Sequence, residues 1–266
     1  MSFKWGVSEV LGLTYVCCWS VSMYPPLWTN WKRKSASALS VDFVMLNTTG
    51  YFYLVISLIL QLYRWLPPPQ GQELTQEAIA LKPKITNFDL CYCLHGFLLN
   101  LVLASQLVMG QSMWGFKKER SIRMKPIYSK ILFLSLLIFS GLTLHFVNYN
   151  ATVGWDNLRT LAYCNRLFML KISMSLLKYV PQVIHNHERR SMKGFAIQGT
   201  MLDITGGMAS LMQLIWQIAN DKSFNTSVFM ANFGKIGLAI VTIVFNFIFL
   251  SQWTVYGDGS VVTIKD

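Results

Sequence analysis

Asp203 is the side chain in this 266-residue sequence with the clearest capacity for chemistry. It sits in the apolar run Ile197–Gly207, with no basic neighbour on its own predicted helix and with Gly206-Gly207 one turn further on. A carboxylate withdrawn from water disfavours its charged form, so it either exchanges a proton or pairs with a cation. Lys178 supplies the candidate cation. It lies inside another apolar segment, within a turn of Pro181-Gln182, and shares a helix face with Lys171, seven residues earlier. A charge at the centre of a membrane helix costs about 2.5–3.5 kcal/mol on insertion scales, so such residues face a partner or a water-filled cavity. A buried structural ion pair and a proton-coupling site are the two readings of Asp203.

The remaining polar residues divide into weaker candidates and structural ones. Asp42, two residues after Ser40, suits the first turn of a helix, where a hydroxyl cap and an acid complement the N-terminus. Asp89 either caps the helix opened by Asn87 or is a second titrating carboxylate. Asn47 reads as a polar group facing a bundle interior, because its sequon Asn47-Thr48-Thr49 falls within a predicted span. A lone His95 on an apolar helix is more often a hydrogen-bonded core residue than a relay. Trp19 lies deep in its span, where it lines a cavity or packs in the core. The five cysteines have no metal-ligand spacing, and Cys91 and Cys93, two apart, point to different helix faces. With no nucleophile beside a base and no closely spaced carboxylates, an enzyme, a metal site and an organic cofactor are all unexpected.

The elements that position these residues follow from composition. A chain that is 53% hydrophobic and 13% charged, with a mean hydropathy of +0.40, is too apolar for a soluble domain of this length. Its apolar stretches form seven segments, at about 7–29, 38–64, 88–112, 128–148, 161–184, 197–220 and 230–254, each near the roughly 20 residues that cross a bilayer as helix. The first lacks a cleavage site and reads as a retained span. The net charge of +11 is a topology signal, since the clusters Lys32-Arg33-Lys34, Lys117 to Lys125 and Arg189 to Lys193 all follow odd-numbered spans. The N-terminus is then lumenal and the C-terminus cytosolic, and a nucleic-acid partner is not expected. Asn150-Ala151-Thr152 falls in a predicted lumenal loop, and Asn225 opens a further sequon whose use the sequence leaves open.

The chain also repeats itself. Moving Pro25–Gly50 by 156 positions onto Pro181–Gly206 pairs Pro25 with Pro181, Asn30 with Asn186, Arg33 with Arg189, Met45-Leu46 with Met201-Leu202 and Gly50 with Gly206; Asn47 falls on Asp203. Prolines within a span release backbone carbonyls and read either as packing kinks or as hinges in a moving helix, with Pro25, Pro26, Pro181 and Gln182 as the hinge candidates. Span 4 has no counterpart in the repeat. The expected fold is therefore all-α, with seven transmembrane helices as two parallel three-helix bundles joined by a linker helix in a 3+1+3 order. The corresponding parts are residues 1–112, 113–155 and 156–266.

Tyr24-Pro25-Pro26 with Asn30–Ser35, and Lys178–Gln182 with Asn186, resemble the PQ-loop family. Within it, Leu39–Asn47, Leu202–Gly207 and Phe233–Leu238 resemble the cystinosin family, over about Leu11 to Trp253 and with the short N-terminus of its fungal members. That resemblance implies proton-driven export of L-cystine across a lysosomal, vacuolar or endosomal membrane, with protons as coupling ion. It implies proton coupling at Asp203 and Asp89, and substrate binding at Asn47, Lys178, Asn186, Asp203 and Lys235. The chain departs from the family pattern where Pro26 replaces the first glutamine, Gly199 an asparagine and Asn246 an aspartate.

Cystine presents two ammonium and two carboxylate groups around a disulfide, and Lys178, Asn47, Asn186 and Asp203 offer matching cations, amides and an acceptor. The competing readings are a PQ-loop carrier of basic amino acids, a SWEET-like sugar uniporter, and a membrane receptor like the KDEL-retrieval receptor. The first favours acids over Lys178, the second needs no Asp203, and the third binds without transport.

Overall fold

The computed structural model describes residues 6–66, 87–117, 123–220 and 226–257; side chains at 88–89, 214, 217–220 and 226–239 lie outside that description. The described chain is helical: α1 (Val7–Val21), α2 (Tyr24–Arg33), α3 (Val41–Tyr63), α4 (Asn87–Val108), α5 (Gly110–Trp114), α6 (Pro126–Val153), α7 (Asn157–Leu177), α8 (Tyr179–Arg189), α9 (Ile197–Asn220) and α10 (Thr226–Tyr256). Among the described residues, four stretches, Val41–Tyr63, Leu90–Val108, Pro126–Val153 and Asn157–Arg189, are long and apolar enough to cross a membrane. The outward face of α6 carries Phe133 and Leu144 at 66% and 70% exposure, which suits lipid rather than water.

The two proline-bearing spans break where the missing amides predict. Proline leaves the carbonyl four residues earlier without its helical partner. The first predicted segment therefore divides at Ser22-Met23, ahead of Pro25 and Pro26, and the fifth at Lys178, three residues ahead of Pro181. Both breaks keep right-handed backbone angles, so they interrupt hydrogen bonding without reversing the chain.

Elsewhere the boundaries move. The third predicted segment is two helices, with Met109 outside both and Gly110 packed under Phe116. The sequon at Asn150, expected in a loop, occupies the last turn of α6. Its amide donates to the Phe146 carbonyl at 2.8 Å, the Thr152 hydroxyl bonds back into the helix, and Gly154, at φ 96°, ends it. Helix hydrogen bonds thus continue through polar residues that hydropathy alone assigns to a loop. Ser40 caps α3 as expected, accepting from the Phe43 amide at 3.5 Å, with Asp42 buried in the first turn.

The chain divides into two compact units interleaved along the sequence: Met1–Val44 with Leu99–Arg123 and Leu176–Asp266, and Met45–Leu98 with Met124–Ser175. In the first, α9 packs between α1 and α10, and Leu39, Val44, Leu103, Leu107 and Phe116 build an apolar cluster. In the second, Val55 and Leu58 of α3 meet Leu90 and Cys93 of α4. There Tyr53 stacks on Phe139 and bonds Ser135, while Ser57 and Cys164 exchange side-chain-to-carbonyl contacts.

Candidate functional site

Asp203 sits half-buried on α9, six residues into the helix, in the first unit. Two glycines on the same helix let α1 come close to it. A Cβ at Gly199 would lie 2.9 Å from the Ser22 carbonyl oxygen, and one at Gly206 would lie 2.7 Å from the Trp19 ring. That explains Gly199 in place of a larger residue: backbone meets backbone there. The contact brings the Trp19 indole N–H to the Asp203 carbonyl at 3.4 Å and the Ser22 hydroxyl within hydrogen-bonding reach of the Asp203 carboxyl. Trp19 is thereby a packing residue with a polar edge on the site.

Lys178 approaches the same carboxyl closely enough to act on its charge. Its ammonium also lies 5.4 Å from the Phe43 ring centroid and 4.8 Å from that of Tyr179, where ring faces favour a cation. Tyr179 is buried, stacked on Phe245 at 4.9 Å, with its hydroxyl donating to Thr242. Ser22 and Lys178 differ by the repeat shift of 156 (178 − 22), so the break residues of both proline-kinked helices converge on one carboxyl. The sequence holds that signal, but only in the register of the repeat.

The hinge and amide residues form a second cluster in the same unit. Gln182 is fully buried: its Oε1 accepts from the Ser40 amide at 2.8 Å, and its Nε2 donates to the Ala38 carbonyl at 3.1 Å and to Asn186 Oδ1 at 2.8 Å. Asn186 Nδ2 in turn donates to Gln252 Oε1 at 2.9 Å, and Gln252 Nε2 donates to the Val183 carbonyl at 2.9 Å. The first repeat has the same clamp. Asn30 Nδ2 donates to Gln106 Oε1 at 3.1 Å, and Gln106 Nε2 donates to the Leu27 carbonyl at 3.2 Å, with Leu27 and Val183 again 156 apart. Pro26 has no amide with which to copy Gln182, so the hook onto the loop before α3 has no partner of the same kind in the first repeat. Gln106 and Gln252 were invisible in the sequence, being ordinary polar residues near the ends of apolar helices.

Asn47 is half-buried in the second unit, on α3. In that unit Lys171 donates to Ser175 Oγ at 2.6 Å and lies 5.7 Å from the Tyr51 ring, so its charge is met by a hydroxyl and a ring. Pro25 and Pro26 are half-buried and Pro181 buried. Asn246, at 2% exposure, donates to the Thr242 carbonyl. The side chains of Asp89 and Lys235, and residue Asn225, lie outside the described residues.

A helical membrane chain with two proline-broken helices related by a fixed register defines a PQ-loop protein, and the family model for the PQ loop repeat matches residues 7–66 and 163–223. The two matches start 156 residues apart (163 − 7), the register read from the prolines. Over 250 residues the chain is 56% identical to the "Cystine transporter" of Saccharomyces cerevisiae, covering 94% of each. It is 33% identical over 250 residues to "Cystinosin" of Bos taurus, covering 92% of this chain and 62% of that one. It is 30% identical over 255 residues to the "Cystinosin homolog" of Caenorhabditis elegans's congener Caenorhabditis briggsae, covering 95% and 58%. The chain belongs to the cystinosin family, a family of transporters and not of enzymes.

Proposed function

We propose that this protein exports L-cystine from an acidic lysosomal or vacuolar lumen to the cytosol, coupled to protons through Asp203. The names of its relatives support the substrate, and the convergence of Ser22 and Lys178 on Asp203 supports the coupling. A carboxyl addressed by both helix breaks changes its interactions with both when it gains or loses a proton. The Ser22 hydroxyl has one hydrogen, now given to the Trp19 carbonyl at 2.9 Å. It accepts from a protonated Asp203 in that orientation and must turn to donate to an ionised one. Proton occupancy thereby biases the arrangement of the helices, which is what coupling requires.

The proposal carries the seven-helix 3+1+3 arrangement, alternating access, a lumenal N-terminus and a cytosolic C-terminus with it. Pro25, Pro26, Pro181 and Gln182 act as hinge residues, and Asp89 as a second proton site. Lys178 receives a substrate carboxylate, with Asn47 and Lys235 as further polar contacts. Asn186 reaches substrate only when Gln182 and Gln252 release it, because both ends of its amide are engaged.

The decisive experiment is labelled cystine uptake into proteoliposomes with and without an acid-outside gradient, comparing the natural chain with Asp203→Asn. Gradient-stimulated uptake that the substitution abolishes is the expected result. No uptake by protein shown to be folded by an independent binding or stability assay would instead direct attention to basic amino acids, then to a receptor.

A further inference from the structure

Ser210 is buried, at 1% exposure, and among the described residues its hydroxyl has no hydrogen-bond partner. A serine inside a helix usually returns its hydrogen to the carbonyl three or four residues back, as Thr205 does to Met201 on this same helix. Leaving a buried hydroxyl without a partner is unfavourable and calls for a reason. Its position supplies one. Ser210 follows Asp203 by seven residues on α9, so the two share a helix face with about 10.5 Å of helix rise between them. The residues one turn after Asp203, Gly206 and Gly207, bring no side chain to the intervening surface, and the Trp19 indole lies along Gly206.

We propose that Ser210 is a proton-relay residue on the route between the lumen and Asp203. The inference rests on the proton-coupling reading of Asp203, and on α9 running from the basic cytosolic loop toward the lumen, which puts Ser210 on the lumenal side. About two or three water molecules at hydrogen-bond spacing near 2.8 Å span the interval. In the relay the Ser210 oxygen accepts a proton from the lumenal side as its own hydrogen passes to the next water. One O–H bond forms, one breaks, and the hydroxyl is regenerated while Asp203 becomes the carboxylic acid. The groups that act on the receiving carboxyl are Lys178 and Tyr179 from the α7–α8 junction, Cys18 of α1 and Ser22 just after α1, while the Trp19 indole bonds the Asp203 backbone carbonyl. Of these, Lys178 is the cation, and arrival of the proton removes the carboxylate charge that it attracts.

The test uses the full chain in proteoliposomes with Ser210→Ala, Ser210→Thr and Asp203→Asn. If the relay operates, Ser210→Ala unfolds at the same or a higher temperature than the natural chain, because it removes a buried hydroxyl that has no protein partner. It keeps the KM for cystine and keeps cystine counterflow at equal pH, a mode that needs no proton delivery. Its gradient-driven maximal rate falls at least about fivefold, with a larger solvent deuterium isotope effect, and Ser210→Thr restores the rate. Gradient-driven flux at the natural level in Ser210→Ala overturns the proposal, as does equal loss of flux and counterflow. Asp203→Asn separates the two ideas: if it retains gradient-driven flux, the Asp203 reading fails and the relay with it. If it loses that flux while Ser210→Ala does not, only the relay fails.

Discussion

Lys34 and Arg190 stand 156 residues apart, and among the described residues they alone adopt positive φ without being glycine, at 52° and 48°. Each ends the helix that follows a proline break, so the two repeats close their kinked helices with the same left-handed residue. A duplicated backbone conformation is a stronger sign of common design than shared residue types, because Lys and Arg both disfavour it. The left-handed region costs a residue with a Cβ about 1–2 kcal/mol.

Replacing either residue by glycine is therefore expected to stabilise the protein. Lys34→Gly and Arg190→Gly should each raise stability by about 1 kcal/mol, since glycine adopts this conformation freely. Thermal unfolding in detergent reads the change, and a loss of stability at both sites would show that their cation–ring contacts with Trp31 and Tyr256 matter more than the backbone.

Gly199→Ala should be more damaging than Gly206→Ala. The added methyl at 199 meets a backbone carbonyl at 2.9 Å, and overpacking of this kind costs about 1–3 kcal/mol. The methyl at 206 meets a tryptophan side chain, and combining it with Trp19→Leu should recover part of the loss. Folded yield and unfolding temperature across the three variants decide the order.

The paired amide clamps predict non-additive mutants. Asn186→Ala deprives the buried Gln182 and half-buried Gln252 amides of a partner, at about 1–3 kcal/mol. Adding Gln252→Ala should then cost less than it does alone, with a coupling of about 0.5–3 kcal/mol in a double-mutant cycle. Asn30 and Gln106 should behave alike, and additive losses at both pairs would mean that the clamps carry little energy.

Charge placement predicts that a tag after Asp266 stays accessible to protease added outside sealed vacuoles. Protection of that tag would reverse the orientation and, with it, the side of the membrane from which Ser210 receives its proton.

The amino-acid sequence alone determined the helical membrane class, the proline breaks and the register of the duplication. Hydropathy and proline act within a few residues of themselves, so their signals are local and survive in one dimension. It also singled out Asp203 and Lys178, because an ionisable residue in an apolar run is conspicuous anywhere. What the tertiary structure decided is which atoms meet. Ser22 looks like any helical serine until Gly199 lets α1 settle against α9, and the bonds by which Gln182 and Gln252 hold both ends of the Asn186 amide have no trace in the sequence. Ser210 differs from its neighbours only through burial and the lack of a partner, properties of the folded surroundings. Hydrogen bonds between helices depend on positions far apart in the chain, where no periodicity records them.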